Sequence, residues 1–558
     1  MTRLLTTFFV AALLAACATP QAPPLHISLL GSNDVHGELL VKEDRGGLIT
    51  WSGYVNAVRQ ARQLDGGAVL LLDAGDMWQG TLESNLLEGE PVVAAYNALQ
   101  YTAAAIGNHE FDFGPLGPSP IPETPADDPR GALKQRAKEA EFPFLAANLI
   151  DDTTGKPVDW ENVYPSIIVD IENVKVGIIG VMTHNALVAT IAANSVGLHV
   201  APLAEAIERE ARAARHAGAS IIVVAAHAGG DCSNFDNPHD LSSCQTRHEI
   251  FRVAEALPKG LVDHIFAGHV HQGMAHIVNG ISITSSYSRT QAFSRVDLVV
   301  DRNSGRILDR AIYPPTRLEP ANTYEGIALV PDAQVAAIAE QAREYAAAIK
   351  ERKVGITLLT PFELTADPES SLGNLYTDAL LDATDADISI HTINSSIRAN
   401  LPAGELTFGR VYEMSPFGNT LVIIELSGAE LRQVISEQAH RGSRRIGFSG
   451  MRVRIACHDK PMQVEMHRDN GQVIQYADRI RVAAANYLAT GGDRVFASVM
   501  PEGGFATPPD APLIRDIIMS SLKKRGGEIR AADFASGGQR RWTLPPNLER
   551  NCRLRSSD

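Results

Sequence analysis

With 558 residues, 45% of them hydrophobic and 21% charged, the chain has the composition of a soluble globular protein and is too long for one core, so two or three domains are expected. Lys and Arg total 50 against 65 Asp and Glu, a net charge of −15 with no basic run, which argues against a polynucleotide partner whose phosphates require a positive groove. A small anionic substrate stays open, because a local cation can attract it.

Residues 1–17 read as a targeting segment. Arg3 precedes the apolar run Phe8 to Leu14, and Leu14-Ala15-Ala16-Cys17 is a small-residue cleavage site ending in cysteine. The run is shorter than the ~20 apolar residues of a spanning helix. It resembles a bacterial lipobox, which implies a lipidated Cys17, a periplasmic protein held to a membrane by lipid alone, and, with Ala18 following, sorting to the outer membrane; residues 18–25 form a tether. Export permits disulfides. Of the remaining cysteines, Cys232 and Cys244 flank an insertion, while Cys457 and Cys552 lie near the end. Pairing within each set is the simplest of three connectivities, with free buried thiols as the alternative.

Next come five apolar runs with a shared ending. Ile27 to Leu30 leads into Asp34-Val35-His36-Gly37, Ala68 to Leu72 into Asp73-Ala74-Gly75-Asp76, and Ala103 to Ile106 into Gly107-Asn108-His109-Glu110-Phe111-Asp112. Ser220 to Ala226 leads into His227, and Val262 to Ala267 into Gly268-His269-Val270-His271. As parallel strands of one sheet, these runs would bring their ends to one edge, where α/β folds bind ligands. Asp34, His36, Asp76, Asn108, His227, His269 and His271 would then converge. Such a mixture of carboxylate, imidazole and amide is unsatisfied without a cation and suits Zn, Mn or Fe. Seven donors exceed one tetrahedral site, and two ions roughly 3.5–4 Å apart, bridged by a carboxylate, form the clamp used for in-line displacement at phosphorus.

Between these runs, Pro115 to Pro129 is a Pro-rich loop, either facing the substrate or a disordered insertion, and Leu203 to Ala217 reads as a helix. His184, His216, His239, His248 and His276 carry no motif and read as surface or core residues. Asp332 to Lys353 is Ala-rich and charged without Pro or Gly, which predicts a solvent-facing helix.

The ordered set DxH, GD, GNHE, strand-end His and GHxH resembles the calcineurin-like metallophosphoesterases. Ser371-Leu372-Gly373-Asn374-Leu375, Asn394-Ser395-Ser396-Ile397-Arg398, Pro416-Phe417-Gly418-Asn419 and Asn486-Tyr487 through Gly491-Gly492-Asp493 narrow this to the bacterial 5′-nucleotidase and UDP-sugar hydrolase family. The resemblance implies an α/β protein: a four-layer α/β/β/α metallophosphoesterase sandwich over 26–320, a linker helix over 330–354 about which the domains move, and a second α/β substrate-binding domain over 355–545. It implies two divalent ions, one held by Asp34, His36 and His271, the other by Asn108, His227 and His269, with Asp76 bridging. His109, oriented by Asp112, would serve the leaving oxygen, Arg398 the phosphate, Asn394 the substrate, Phe417 and Tyr487 a base, and Asp493 a ribose. The expected substrate is a small nucleotide: a 5′-phosphate, nucleotide sugar or cyclic nucleotide.

Three departures mark this chain. His271 stands where relatives often have Gln or Asn, serines replace two glycines before Arg398, and Asp367-Pro368-Glu369 stands where an Arg is common. The alternatives are therefore hydrolysis of another small ester, such as a thiosulfate conjugate, or a non-catalytic surface lipoprotein. The complete donor set and His109/Asp112 pair argue against the last.

Overall fold

The computed structural model describes residues 23–117, 119–365, 369–392, 396–440, 446–456, 462–501, 504–508, 511–536 and 540–544. Residues 1–17 with Cys17, Asn394, and the expected Cys457–Cys552 pair lie outside them.

All five apolar runs become strands: β1 (Leu25–Ser32), β2 (Ala68–Asp73), β3 (Ala103–Ala105), β4 (Ile221–His227) and β5 (His264–Ala267). They do not share one sheet, which corrects the single-edge expectation. β1, β2 and β3 run parallel in an eight-stranded sheet, whereas β4 and β5 run parallel in a six-stranded one. The reason lies in their composition: a strand apolar on both faces needs a second apolar layer, and here another sheet supplies it. Ile27, Leu29, Leu70 and Leu72 of the first sheet meet Ile178, Ile221, Val223 and Phe266 of the second. Helices Gly47–Asp65 and Glu90–Ala98 cover the outer face of the first sheet, and Leu203–His216 and Glu249–Ala256 that of the second. The result is the four-layer α/β/β/α sandwich, with the strand ends of both sheets meeting at one rim.

The helix expected after residue 330 spans Ala333–Lys350 and is capped by Asp332, whose carboxylate accepts from the amides of Gln334 and Val335. It is not solvated all round. Val335, Ala339, Ala342 and Ala346 recur at helical spacing; the first three are buried in the N-terminal core, and Ala346 packs among Leu82, Phe408 and Tyr412. Beyond it, Leu421–Ser427, Arg479–Ala485, Ile388–Thr392 and Ile446–Ser449 form a four-stranded sheet in that order. With helices Ser371–Asp382 and Ile514–Arg525 this sheet builds a separate core, the C-terminal lobe.

The two sheets close to contact at Gly31. A Cβ there would lie 2.2 Å from the Phe266 ring, so any side chain must push the sheets apart. Gly31→Ala is expected to cost about 1–3 kcal/mol, the range for overpacking a full core, measured as a fall in the denaturant midpoint of the N-terminal lobe.

Candidate active site at the sandwich rim

The rim is built first by its backbone. Asp34, His36, Asp76, His269 and His271 all have positive φ, between 50° and 73°. Each such residue without glycine's freedom costs about 1–3 kcal/mol and persists only where its surroundings hold it. They do: the Asp34 amide donates to Gly75 O at 2.9 Å, the His36 amide to Asp76 O at 3.0 Å, and the His269 amide to Asp34 Oδ2 at 2.9 Å. Loops after β1, β2 and β5 are thus tied together across the two sheets.

The side chains fall into two groups that share Asp76. One is Asp34, His36, Asp76 and His271; the other is Asp76, His227 and His269. Asn108 joins the second, its Oδ1 lying 3.0 Å from both His227 Nε2 and His269 Nδ1. Backbone carbonyls fix two of the rings, since His36 Nδ1 donates to Gln79 O at 2.8 Å and His227 Nδ1 donates to Ala74 O at 2.9 Å. Asn108 is likewise fixed, its Nδ2 donating to Ala189 O at 3.0 Å. The remaining lone pairs therefore face one another: His36 Nε2 is 3.0 Å from His271 Nε2, and His227 Nε2 is 3.2 Å from Asp76 Oδ2. Acceptors directed at acceptors, with their outer atoms held by carbonyls, are the arrangement that a borderline divalent cation satisfies.

The electrostatics agree. Burial opposes ionisation of Asp76, but the imidazoles of His227 and His109 hold it well below the usual carboxylate range. Burial, then the His227 charge, pushes His269 down to about 3, leaving a neutral ring. His227 moves the other way, to about 10: burial resists its charge and the Asp76 carboxylate prevails, so with no cation among the donors a proton on Nε2 takes the place of one. The cluster thus demands positive charge.

Beside it, His109 Nδ1 donates to Asp112 Oδ2 at 2.6 Å, and Thr190 Oγ1 donates to the other Asp112 oxygen at 2.7 Å. Burial disfavours the imidazolium, yet Asp112 and Asp76 raise the His109 pKa above the ordinary value. Both groups open into a cleft of about 940 Å³ whose opposite wall includes Arg398, Phe417, Tyr487 and Asp493 from the C-terminal lobe. The Phe417 and His109 rings stack with centroids 6.0 Å apart, the Arg398 guanidinium lies 5.2 Å over Phe417, and the Tyr487 hydroxyl donates to Asp493 Oδ1 at 3.2 Å.

Residues 353–500 match the family model described as 5′-nucleotidase, C-terminal domain. Protein UshA of Escherichia coli K12 is 25% identical over 538 residues, covering 88% of this chain and 90% of UshA. The cell wall protein Lmo0130 of Listeria monocytogenes is 27% identical over 470 residues, which span 78% of this chain but only 58% of that protein. The crystal structure of a 5′-nucleotidase precursor from Thermus thermophilus superposes with a TM-score of 0.72 at 22% identity, covering 94% of this chain and all (100%) of that one. Over residues 353–500 the chain carries the 5′-nucleotidase C-terminal domain.

Several features of this cleft have no counterpart in the sequence pattern. Glu110, inside the GNHE motif, points away from the donor cluster and accepts from the amides of Gly107 at 2.6 Å, Met77 at 2.8 Å and Asp76 at 2.9 Å, clamping the β2 and β3 loops together. Burial, then the Asp76 charge, pushes it up to about 8. Thr190 has no motif to mark it. Arg289 is a lone arginine in a polar turn, yet it lines the cleft. His248, expected at the surface or in the core, borders the cleft with Asp231, Gln245 and Arg247. These flank the loop after His227 that Cys232 and Cys244 close in disulfide geometry with Cα atoms 4.0 Å apart. His276 is a core residue, and His184, His216 and His239 are exposed. The Pro-rich loop is anchored by Asn194, whose Nδ2 donates to Pro120 O at 2.8 Å, and Pro120 approaches Gly418 of the C-terminal lobe.

Glu110→Gln removes one of two accepting oxygens and turns an N–H towards a backbone amide. The loops carrying Asp76 and Asn108 should loosen, lowering divalent-ion affinity by about 10- to 100-fold in a chelator competition while the fold persists.

Proposed function

We propose that this protein hydrolyses the phosphoric ester of a small nucleotide, a nucleoside 5′-phosphate or a close relative, using two divalent ions of the Zn, Mn or Fe type. The observation that carries this reading is a split donor cluster sharing Asp76, facing a carboxylate-oriented imidazole and an arginine across one cleft. Asp34, His36 and His271 would hold one ion and Asn108, His227 and His269 the other, with Asp76 common to both. Bound there, such ions polarise a phosphoryl oxygen and lower the pKa of a water molecule.

The chain's own residues do the rest. Asp112 takes the Nδ1 proton of His109 as a hydrogen bond and favours the charged ring, so the Nε2 proton is available to the leaving alkoxide. Thr190 holds Asp112 from behind and thereby fixes the ring plane. Arg398, with five donors in a rigid fork, suits the phosphoryl oxygens. Phe417 offers a ring face already aligned with His109, and Tyr487 and Asp493 lie joined on the same wall, a pairing that suits a base and a ribose. Glu369, from the segment where a further arginine was sought, is bonded instead to the backbone of Arg541 at 2.7 Å. Export and anchoring through Cys17 belong to the same proposal, supported by the Leu14-Ala15-Ala16-Cys17 pattern.

Asp76→Ala should abolish both activity and metal content, because it removes the shared carboxylate. His109→Ala should lower kcat by about 100-fold or more while metal analysis still finds two ions per chain. Loss of metal in the His109 variant would overturn the role given to that residue.

Substrate class is tested on the opposite wall. Stacking contributes about 1–3 kcal/mol per base, so Tyr487→Ala should reduce kcat/KM for a 5′-nucleotide by about 5- to 150-fold. An aryl phosphate that does not reach Tyr487 should be hydrolysed as before. Equal losses on both substrates would leave Tyr487 a structural residue and remove the base pocket from the proposal.

A further inference from the structure

Two of the guanidinium groups that line the cleft, those of Arg398 and Arg289, are held by no ion pair among the described residues, although the charges of Asp76, Asp493 and Asp112 reach Arg398. Arg398 reaches in from the C-terminal lobe over the Phe417 ring. Arg289 comes from the N-terminal lobe, in the turn that follows strand Ile281–Ser286. Among the described residues neither guanidinium makes an ion pair or a hydrogen bond. The acidic groups whose charge reaches Arg289 are Glu38 and Glu413, and both are engaged elsewhere. Glu38 is bonded to Lys42 at 2.7 Å and Arg45 at 2.8 Å, and Glu413 pairs with Lys350 at 3.4 Å.

The backbone of Arg289 is held where the chemistry is. Its amide donates to the carbonyl of Asp34 at 2.7 Å, and its φ of 52° is a left-handed value that only such a tie sustains. The next residue, Thr290, is buried and its Oγ1 accepts from the Gly47 amide at 3.0 Å, closing the turn from the other side. The side chain thus projects from a braced turn directly beside the rim. Burial and the charges of Arg45 and Arg398 push its pKa down to about 10, so it stays charged at neutral pH while facing like charge. Two cations directed into one cleft are relieved by an anion between them, and a guanidinium fork suits phosphoryl oxygens.

We infer that Arg289 is a second anion-binding residue of the cleft, which with Arg398 grips the phosphoryl group of a dianionic phosphomonoester and so favours monoesters over singly charged phosphodiesters. This inference rests on the phosphohydrolase reading above. It assigns discrimination between ester classes to the N-terminal lobe and recognition of the remainder of the substrate to the C-terminal lobe. Diesters gain less because they offer one charge where two cations wait.

The test uses the metal-loaded protein with Arg289→Gln and Arg289→Lys. Rates are measured on a nucleoside 5′-monophosphate, p-nitrophenyl phosphate and bis(p-nitrophenyl) phosphate, and binding of inorganic phosphate is measured by calorimetry. Loss of a charged hydrogen bond predicts a fall of about 10- to 100-fold in kcat/KM on both monoesters for Arg289→Gln, comparable weakening of phosphate binding, and a change within about threefold on the diester. Arg289→Lys should recover part of the loss, and both variants should keep two metals per chain. Equal losses on monoesters and diester, unchanged phosphate binding, or depleted metal would each overturn the inference. A wild-type protein that hydrolyses none of the three esters would instead defeat the reading of the preceding section, and the phosphate titration would still decide the role of Arg289.

Discussion

Acceptor lone pairs forced to within about 3 Å of one another are the constraint on which this molecule is arranged. Imidazole nitrogens, carboxylates and an amide oxygen repel unless a cation lies among them, and the backbone that presents them is itself in left-handed conformations. Holding so many unfavourable groups together needs a frame that cannot relax. The apolar core between the two sheets is that frame, with strand ends too tightly packed to drift. Glu110 completes it locally, because one carboxylate gathers amides from two loops that would otherwise separate under the repulsion of their own side chains.

The same loops carry the rim across to the other lobe. Gln79 accepts the His36 ring proton with its carbonyl and with its side chain donates to Pro416 O at 3.1 Å, next to Phe417. Asn85 donates to the Tyr412 hydroxyl at 2.7 Å, and Arg494 donates to Asn185 at 2.6 Å on the opposite flank. The C-terminal wall is therefore tied by short polar contacts to the N-terminal lobe, and through Gln79 to the loop that carries Asp76. A shift of either lobe registers at both.

The donor set was legible in the sequence because its seven members sit at the ends of five apolar runs, with glycine close by to permit the turn. Assignment of those runs to sheets was not legible, since a strand buried on both faces reads alike in either sheet. Glu110 carried no assigned role in the sequence beyond its place in the GNHE run. Its true partners, the amides of Asp76 and Met77, lie more than thirty positions away and carry no side-chain signal. Arg289 and Thr190 escaped for a related reason: a single polar residue in a polar loop has no pattern until folding puts the rim next to it. In the helix Ala333–Lys350, alanine lines both the buried and the exposed faces, so the hydrophobic contrast that marks an amphipathic helix is faint.

That helix also fixes where the catalytic half of the chain can be cut. Its first turn is anchored to the N-terminal lobe, the Asp332 amide donating to Ser52 Oγ at 2.8 Å, and Val335, Ala339 and Ala342 complete a core begun by Trp51, Tyr54 and Val93. A chain ended near residue 320, where the last paired strands of the sandwich finish, would leave that core open to water. The core that supports the rim therefore includes helix residues as far as Ala342, set by which side chains close it rather than by where the composition changes.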